Sequence, residues 1–141
     1  MAKTVRDVMT LQPTTLPASS KVSDAAAVMA DRDIGAVVIT KGDTQVIGIL
    51  TDRDIVVRGI AARRDPWTTL VAEILSDEDL ATTSPDTPVH EVVAIMQSKA
   101  VRRLPVVEHG RLVGIVSLGD LAIEADPQSV LAVVSGASAN R

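Results

Sequence analysis

Apolar residues recur along this chain in a helical rhythm at two places. Val22, Ala25, Ala26 and Met29 follow an i, i+3, i+4, i+7 spacing that puts them on one face of a helix, and Val89, Val92, Val93 and Met96 repeat it 67 residues later. Ser20 is placed to cap the first helix, while Thr87 followed by Pro88 offers the second a cap and a favoured first helical residue. Short apolar runs come after each helix, Ala36 to Ile39 and Val46 to Leu50, then Leu104 to Val107 and Leu112 to Val116. A polar turn containing Gly42 or Gly110 separates each pair of runs, which predicts two hairpins. Gly48 and Gly114, inside the second strand of each hairpin, mark expected points of close backbone approach. Further helices are predicted over 52–62 and 118–125.

These elements are two copies of one unit. Val5, Val8 and Met9 have counterparts in Val71, Ile74 and Leu75, and each trio leads through a threonine-rich stretch to Pro17 or Pro85. The expected fold is therefore α/β, two pseudo-symmetric repeats of strand, helix, strand, strand, helix packed into one compact module. The first repeat is expected over 5–62 and the second over 71–125, joined by a charged, proline-broken link at 63–70. Residues 126–141 are expected to form a C-terminal helix, starting at Asp126 and Pro127 and docking through Val130 to Val134, with a frayed tail. At 141 residues the chain has the size of one domain able to bury roughly 68–70% of its unfolded surface.

Composition narrows what such a module can do. Phe and Tyr are absent and Trp67 is the lone aromatic, so aliphatic side chains and methionine must fill the core. With no cysteine there is no disulfide, thiolate nucleophile or cysteine metal site, which makes a reducing, cytoplasmic setting the expectation. No segment has the run of about 18 apolar residues that a bilayer span requires, and the N-terminus lacks a signal-peptide apolar stretch. A net charge of −4 opposes general attraction to nucleic acid or anionic lipid. His90 and His109 are scattered in positions expected to be solvated, and no glycine-rich Walker loop is present. Neither a catalytic triad nor a metal cage can be assembled, so the chain is read as non-enzymatic, with no metal and no prosthetic group.

The chemistry concentrates where each second strand ends. Gly48, Ile49, Leu50, Thr51, Asp52, Arg53, Asp54 is echoed by Gly114, Ile115, Val116, Ser117, Leu118, Gly119, Asp120, so a hydroxyl and a carboxylate recur three apart. Taken alone, that spacing is a common helix-capping pattern. Duplicated behind a strand glycine and a hairpin, it resembles the CBS domain family, whose paired form is the Bateman module. Ile34 to Ala36 and Val101 to Val106 support the resemblance, which covers about residues 5 to 125. Asp31 to Gly35 and Gly48 to Arg58 look like the stand-alone bacterial CBS-pair proteins, the hypoxic response type among them.

A strand-to-helix junction brings a hydroxyl, a carboxylate and the N–H groups of a helix start together, a set suited to a ribose and its phosphates. The resemblance implies that Asp54 and Asp120 hold ribose, with Thr51 and Ser117 beside the sugar and phosphate. Arg102 and Arg103 are expected to reach phosphate through paired guanidinium donors. Arg53 is a further candidate, and Thr14 and Thr82 match positions near the base in family members. Copy one has Gly35 and Ala36 where copy two has Arg102 and Arg103, so the two sites cannot be equivalent.

The reading that follows is a regulatory sensor of AMP, ADP or ATP, binding in the cleft between the repeats and signalling to a protein partner in trans. The family also implies a homodimer built on apolar helix faces. The alternative is a CBS pair that has lost its nucleotide and serves only in dimerisation or protein interaction, because a fold does not establish a ligand.

Overall fold

The structure is a computed structural model that describes residues 3–42, 45–75 and 80–125, the last two by their backbone alone; the expected C-terminal helix and tail lie outside these residues. In chain order the elements are α1 (Val5–Val8), β1 (Thr10–Leu11), β2 (Thr15–Pro17), α2 (Val22–Arg32), β3 (Ala36–Lys41), β4 (Gln45–Thr51) and α3 (Asp52–Asp54). The helix begun by α3 runs on as a π-helix over Ile55–Ile60, and a 3-10 turn spans Val71–Glu73. Then come α4 (Val89–Lys99), β5 (Arg103–Glu108), β6 (Arg111–Ser117) and α5 (Leu118–Ala125). This is a mixed α/β fold of two repeats, each built on a three-stranded sheet, ordered β2-β3-β4 and β1-β6-β5.

Each hairpin closes on residues that tolerate positive φ. His109 and Gly110, with φ of 53° and 77°, are the two loop residues between β5 and β6, which is the double left-handed conformation of a type I′ turn. Both hairpins also carry one register shift, at Ile39/Thr40 and at Val106/Val107.

Two compact units emerge, and they are not cut where the sequence copies are cut. Among the described residues, one consists of 14–42, 45–75 and 80, the other of 3–13 together with 81–125. In the first unit, Val71 and Ile74 are buried in a core with Val22, Ala25, Met29, Val37, Ile39 and Leu50. In the second, Val5 is buried with Val92, Met96, Leu104, Val106, Val116 and Leu121, while Val8 and Met9 pack against that core. The opening segment of each copy thus packs into the core built on the other, and that of the first copy also adds β1 to the sheet of β5 and β6.

Backbone hydrogen bonds fix the exchange. Val71 N–H donates to the Ser20 carbonyl and Val22 N–H to the Thr69 carbonyl; in the second unit Val5 N–H donates to Thr87 and Val89 N–H to Lys3. The first-turn donors of α2 and α4 are orphans of their own helices, and these borrowed carbonyls satisfy them. Helix starts accordingly differ from expectation. Lys21, not Ser20, precedes α2, and its N–H is taken by the Asp24 carboxylate at 3.0 Å. Pro88, not Thr87, precedes α4, because the Thr87 hydroxyl is turned back onto Ser84. Ala26 faces solvent, leaving Val22, Ala25 and Met29 as the buried stripe of α2.

The strand glycines admit the exchanged segments. A Cβ added at Gly114 would lie 2.8 Å from the Thr10 carbonyl oxygen and 2.9 Å from the Met9 sulfur, whereas one at Gly48 would meet only Leu75 methyl groups at 3.3 Å. Gly114→Ala is expected to cost about 1–3 kcal/mol by overpacking against backbone, and Gly48→Ala less, since a leucine end can turn away. Urea denaturation of the two variants checks this order; equal midpoints would contradict it.

Candidate functional site

The two strand-to-helix corners have the same local construction. At the first, Thr51 N–H donates to Asp54 Oδ2 at 2.9 Å and Asp54 N–H donates to Thr51 Oγ1 at 3.1 Å. At the second, Ser117 N–H donates to Asp120 Oδ2 at 2.9 Å and Asp120 N–H to Ser117 Oγ at 3.1 Å. Each pair is a reciprocal capping box, so the spacing that attracted attention as a ligand motif has a structural duty in both copies.

The duty does not exhaust the groups. A carboxylate has two oxygens and a hydroxyl one proton beyond its lone pairs. Asp54 and Asp120 each spend Oδ2 on the cap, and Thr51 and Ser117 each accept there, keeping their protons to donate. Asp54 Oδ1 lies 3.8 Å from Arg58 Nε, a partly exposed i, i+4 contact that the sequence reading missed although the spacing was visible. Asp120 Oδ1 has no partner among the described residues. All four side chains are half-buried.

Free helix-start donors, expected at both corners, are nearly absent at the first. There Asp52 N–H donates to the Gly35 carbonyl at 3.0 Å and Arg53 N–H to Asp52 Oδ1 at 2.8 Å. At the second corner Leu118 N–H donates to the Arg102 carbonyl at 2.8 Å, and Gly119 N–H is left without an acceptor among the described residues.

The cations are also unequally placed. Arg103 opens β5 directly opposite Ser117 in the β5–β6 ladder, so its Cβ lies about 4.5–5.5 Å from that of the corner serine. Arg102 precedes it, tied to the corner by its carbonyl. Both side chains are exposed and neither has an acidic partner among the described residues. Ala36 takes the matching place opposite Thr51. Arg53 is exposed beside the first corner, where a shallow surface depression of about 340 Å³ is lined by Asp52, Arg53, Val56 and Val57. Thr14 accepts a hydrogen bond from Arg32 at 3.2 Å, and Thr82 is exposed one residue before the parallel bridge of Thr83 with Val106.

The nine sequence candidates therefore fall into two sets: Thr14, Thr51, Arg53 and Asp54 in one unit, Thr82, Arg102, Arg103, Ser117 and Asp120 in the other. Asp52 and Gly35 lie outside these nine, having stood out in the sequence only as places where the two copies differ. His90 and His109 are exposed, and no group of three or more His, Asp or Glu side chains converges among the described residues. No helix among them is long and apolar enough to cross a membrane.

Comparison with known proteins now bears on this geometry. Hypoxic response protein 1 of Mycobacterium tuberculosis is 38% identical over 119 residues, which cover 84% of this chain and 82% of that protein. The crystal structure of Hypoxic Response Protein I with two coordinated zinc ions matches with a TM-score of 0.78 at 37% identity, over 85% of this chain and 97% of that one. The CBS domain pair of protein MJ0100, in complex with 5′-methylthioadenosine and S-adenosyl-L-methionine, matches with a TM-score of 0.80 over 92% of this chain and all of that one; at 24% identity the likeness bears on the fold alone. A family model for the CBS domain matches residues 5–59 and 71–125, one match for each repeat, and the chain belongs to the CBS domain family as a tandem pair.

Proposed function

We propose that this CBS pair is a non-catalytic cytoplasmic sensor of an adenosine-containing nucleotide of the AMP, ADP or ATP class, with Asp54 and Asp120 as ribose acceptors. The observation that carries the reading is the surplus at each cap: one carboxylate oxygen and one hydroxyl proton remain after the helix start is closed. A ribose presents two vicinal hydroxyls, which a carboxylate accepts. At the second corner Arg102, Arg103 and Gly119 N–H add donors for phosphate, so that corner is the stronger nucleotide site. Thr51 and Ser117 sit beside the sugar, Arg53 at the rim of the first corner, and Thr14 and Thr82 toward the base.

Output passes to a protein partner in trans, and the working form is a homodimer. Val56, Val57 and Ile60 are 59%, 45% and 54% exposed, and Leu118 and Ile123 add apolar area on α5. A second chain covering these residues would remove them from water. The same surface supports the second reading, an interaction module without nucleotide, which the locally completed caps also favour.

A thermal-shift panel separates the two. A nucleotide at a hundred times its dissociation constant stabilises by about 2.7 kcal/mol, raising the melting temperature by about 10 °C. Light scattering on the same samples should give twice the 14.8 kDa chain mass. No shift with AMP, ADP, ATP, NAD or S-adenosylmethionine would leave the interaction module as the function.

A further inference from the structure

Five matched positions set the corners apart chemically. Gly35, Ala36, Asp52, Arg53 and Asp54 at the first correspond to Arg102, Arg103, Leu118, Gly119 and Asp120 at the second, so the formal charge changes from −1 to +1. The geometry sharpens the contrast. Asp52 folds its carboxylate back over the start of its own helix, where Oδ1 accepts the Arg53 N–H at 2.8 Å. A Cβ added at Gly35 would lie 3.3 Å from Asp52 Oδ2, so the carboxylate rests against the bare face of that glycine. Asp52 N–H is on the Gly35 carbonyl and Asp54 N–H on Thr51 Oγ1. All three first-turn donors, the groups a phosphate would seek, are thus filled from within the chain.

At the second corner the residue matching Asp52 is Leu118, which has neither charge nor acceptor, and the place of Gly35 is taken by Arg102. The Gly119 N–H has no acceptor there among the described residues. The bare glycine and the folded-back aspartate go together, because a side chain at position 35 would press on the carboxylate.

We propose that Asp52 is a specificity-determining residue: its carboxylate stands where a ligand phosphate would stand, so the first corner takes uncharged nucleosides of the adenosine class while phosphorylated nucleotides go to the second. This rests on the nucleotide reading above and adds to it a division of labour between the corners. An ester phosphate entering the first corner meets a fixed negative charge and no free N–H, whereas a ribose alone needs only Asp54 and Thr51.

Calorimetric titration of the full chain with AMP and, separately, with adenosine tests it. AMP is expected to fill one site per chain tightly and a second about tenfold or more weakly, the effect of about one unscreened like-charge contact. Adenosine should show no such split. Asp120→Asn should remove the tight AMP site, and Asp52→Ala should tighten the weak one by about tenfold while leaving adenosine affinity unchanged, which also shows that the variant is folded. Asp52→Asn, which keeps an acceptor for the Arg53 N–H but not the charge, should fall between. Two equal AMP sites in the wild-type protein, or a weak site that Asp52→Ala does not improve, would overturn the proposal and leave nucleotide sensing intact. Absence of any binding by both AMP and adenosine would overturn the two together.

Discussion

Val5→Asp is expected to unfold the unit built on the second repeat although Val5 lies in the first copy of the sequence. Val5 is completely buried among Val92, Met96, Leu104, Val106, Val116 and Leu121. A carboxylate there would have no cationic partner in that aliphatic core, at a cost of about 4 kcal/mol or more against a typical domain stability of about 5–15 kcal/mol. The melting temperature should fall by about 10–15 °C. Amide exchange should accelerate over 89–117 before 22–51. Val71→Asp, at an equally buried position in the other core, should reverse that order. Leu11→Asp is the control, since Leu11 is 65% exposed and its replacement should change stability by about 0.5 kcal/mol or less. Loss of protection confined to the copy that carries each substitution would contradict the exchange.

Converting both corner aspartates to asparagine should abolish nucleotide response with little loss of fold. An Asn oxygen at position 54 or 120 can still accept the Thr51 or Ser117 N–H, so each cap persists. The amide nitrogen must then occupy the place of the second carboxylate oxygen, where it donates and cannot accept from a ribose hydroxyl. Hydrogen bonds to a charged group contribute about 1.5–3 kcal/mol, which makes the loss about ten- to a hundredfold at each corner. Alanine is the less informative change, because it also removes the cap, for about 1 kcal/mol of stability.

Much of this molecule was legible in the sequence because its signals are local. The stripe of α2 and α4, the hairpins and their Gly42 and Gly110 turns follow from periodicity and turn chemistry within a few residues. Gly48 and Gly114 were readable as places of close approach, but not what approaches. Which core receives Val5 or Val71 is a long-range choice between two similar surfaces, and neither segment's own pattern discriminates between them. Ser20 and Thr87 are good caps by residue type; tertiary carbonyls from Thr69 and Lys3 supplied partners that propensity does not register. The π-helix over Ile55–Ile60 likewise left no mark in an apolar spacing that also fits an α-helix.

At the site, the motif was visible and its occupancy was not. Thr51 with Asp54 and Ser117 with Asp120 satisfy a capping pattern and a sugar-binding pattern equally well in one dimension. Only the folded geometry separates the oxygen each aspartate spends on its cap from the one it retains. Asp52 was legible only as a difference from Leu118, because its place in the motif accepts any residue; the carboxylate acquires meaning from Gly35, seventeen residues away in sequence.

The most direct measurement is calorimetric titration of AMP into the wild-type chain and into the Asp54→Asn, Asp120→Asn pair, both first shown to melt within a degree or two of each other. A sensor of the kind described gives saturable heat with the wild type and an affinity about ten- to a hundredfold weaker at each site with the pair. Superimposable isotherms would show that these carboxylates serve the helix starts and nothing more.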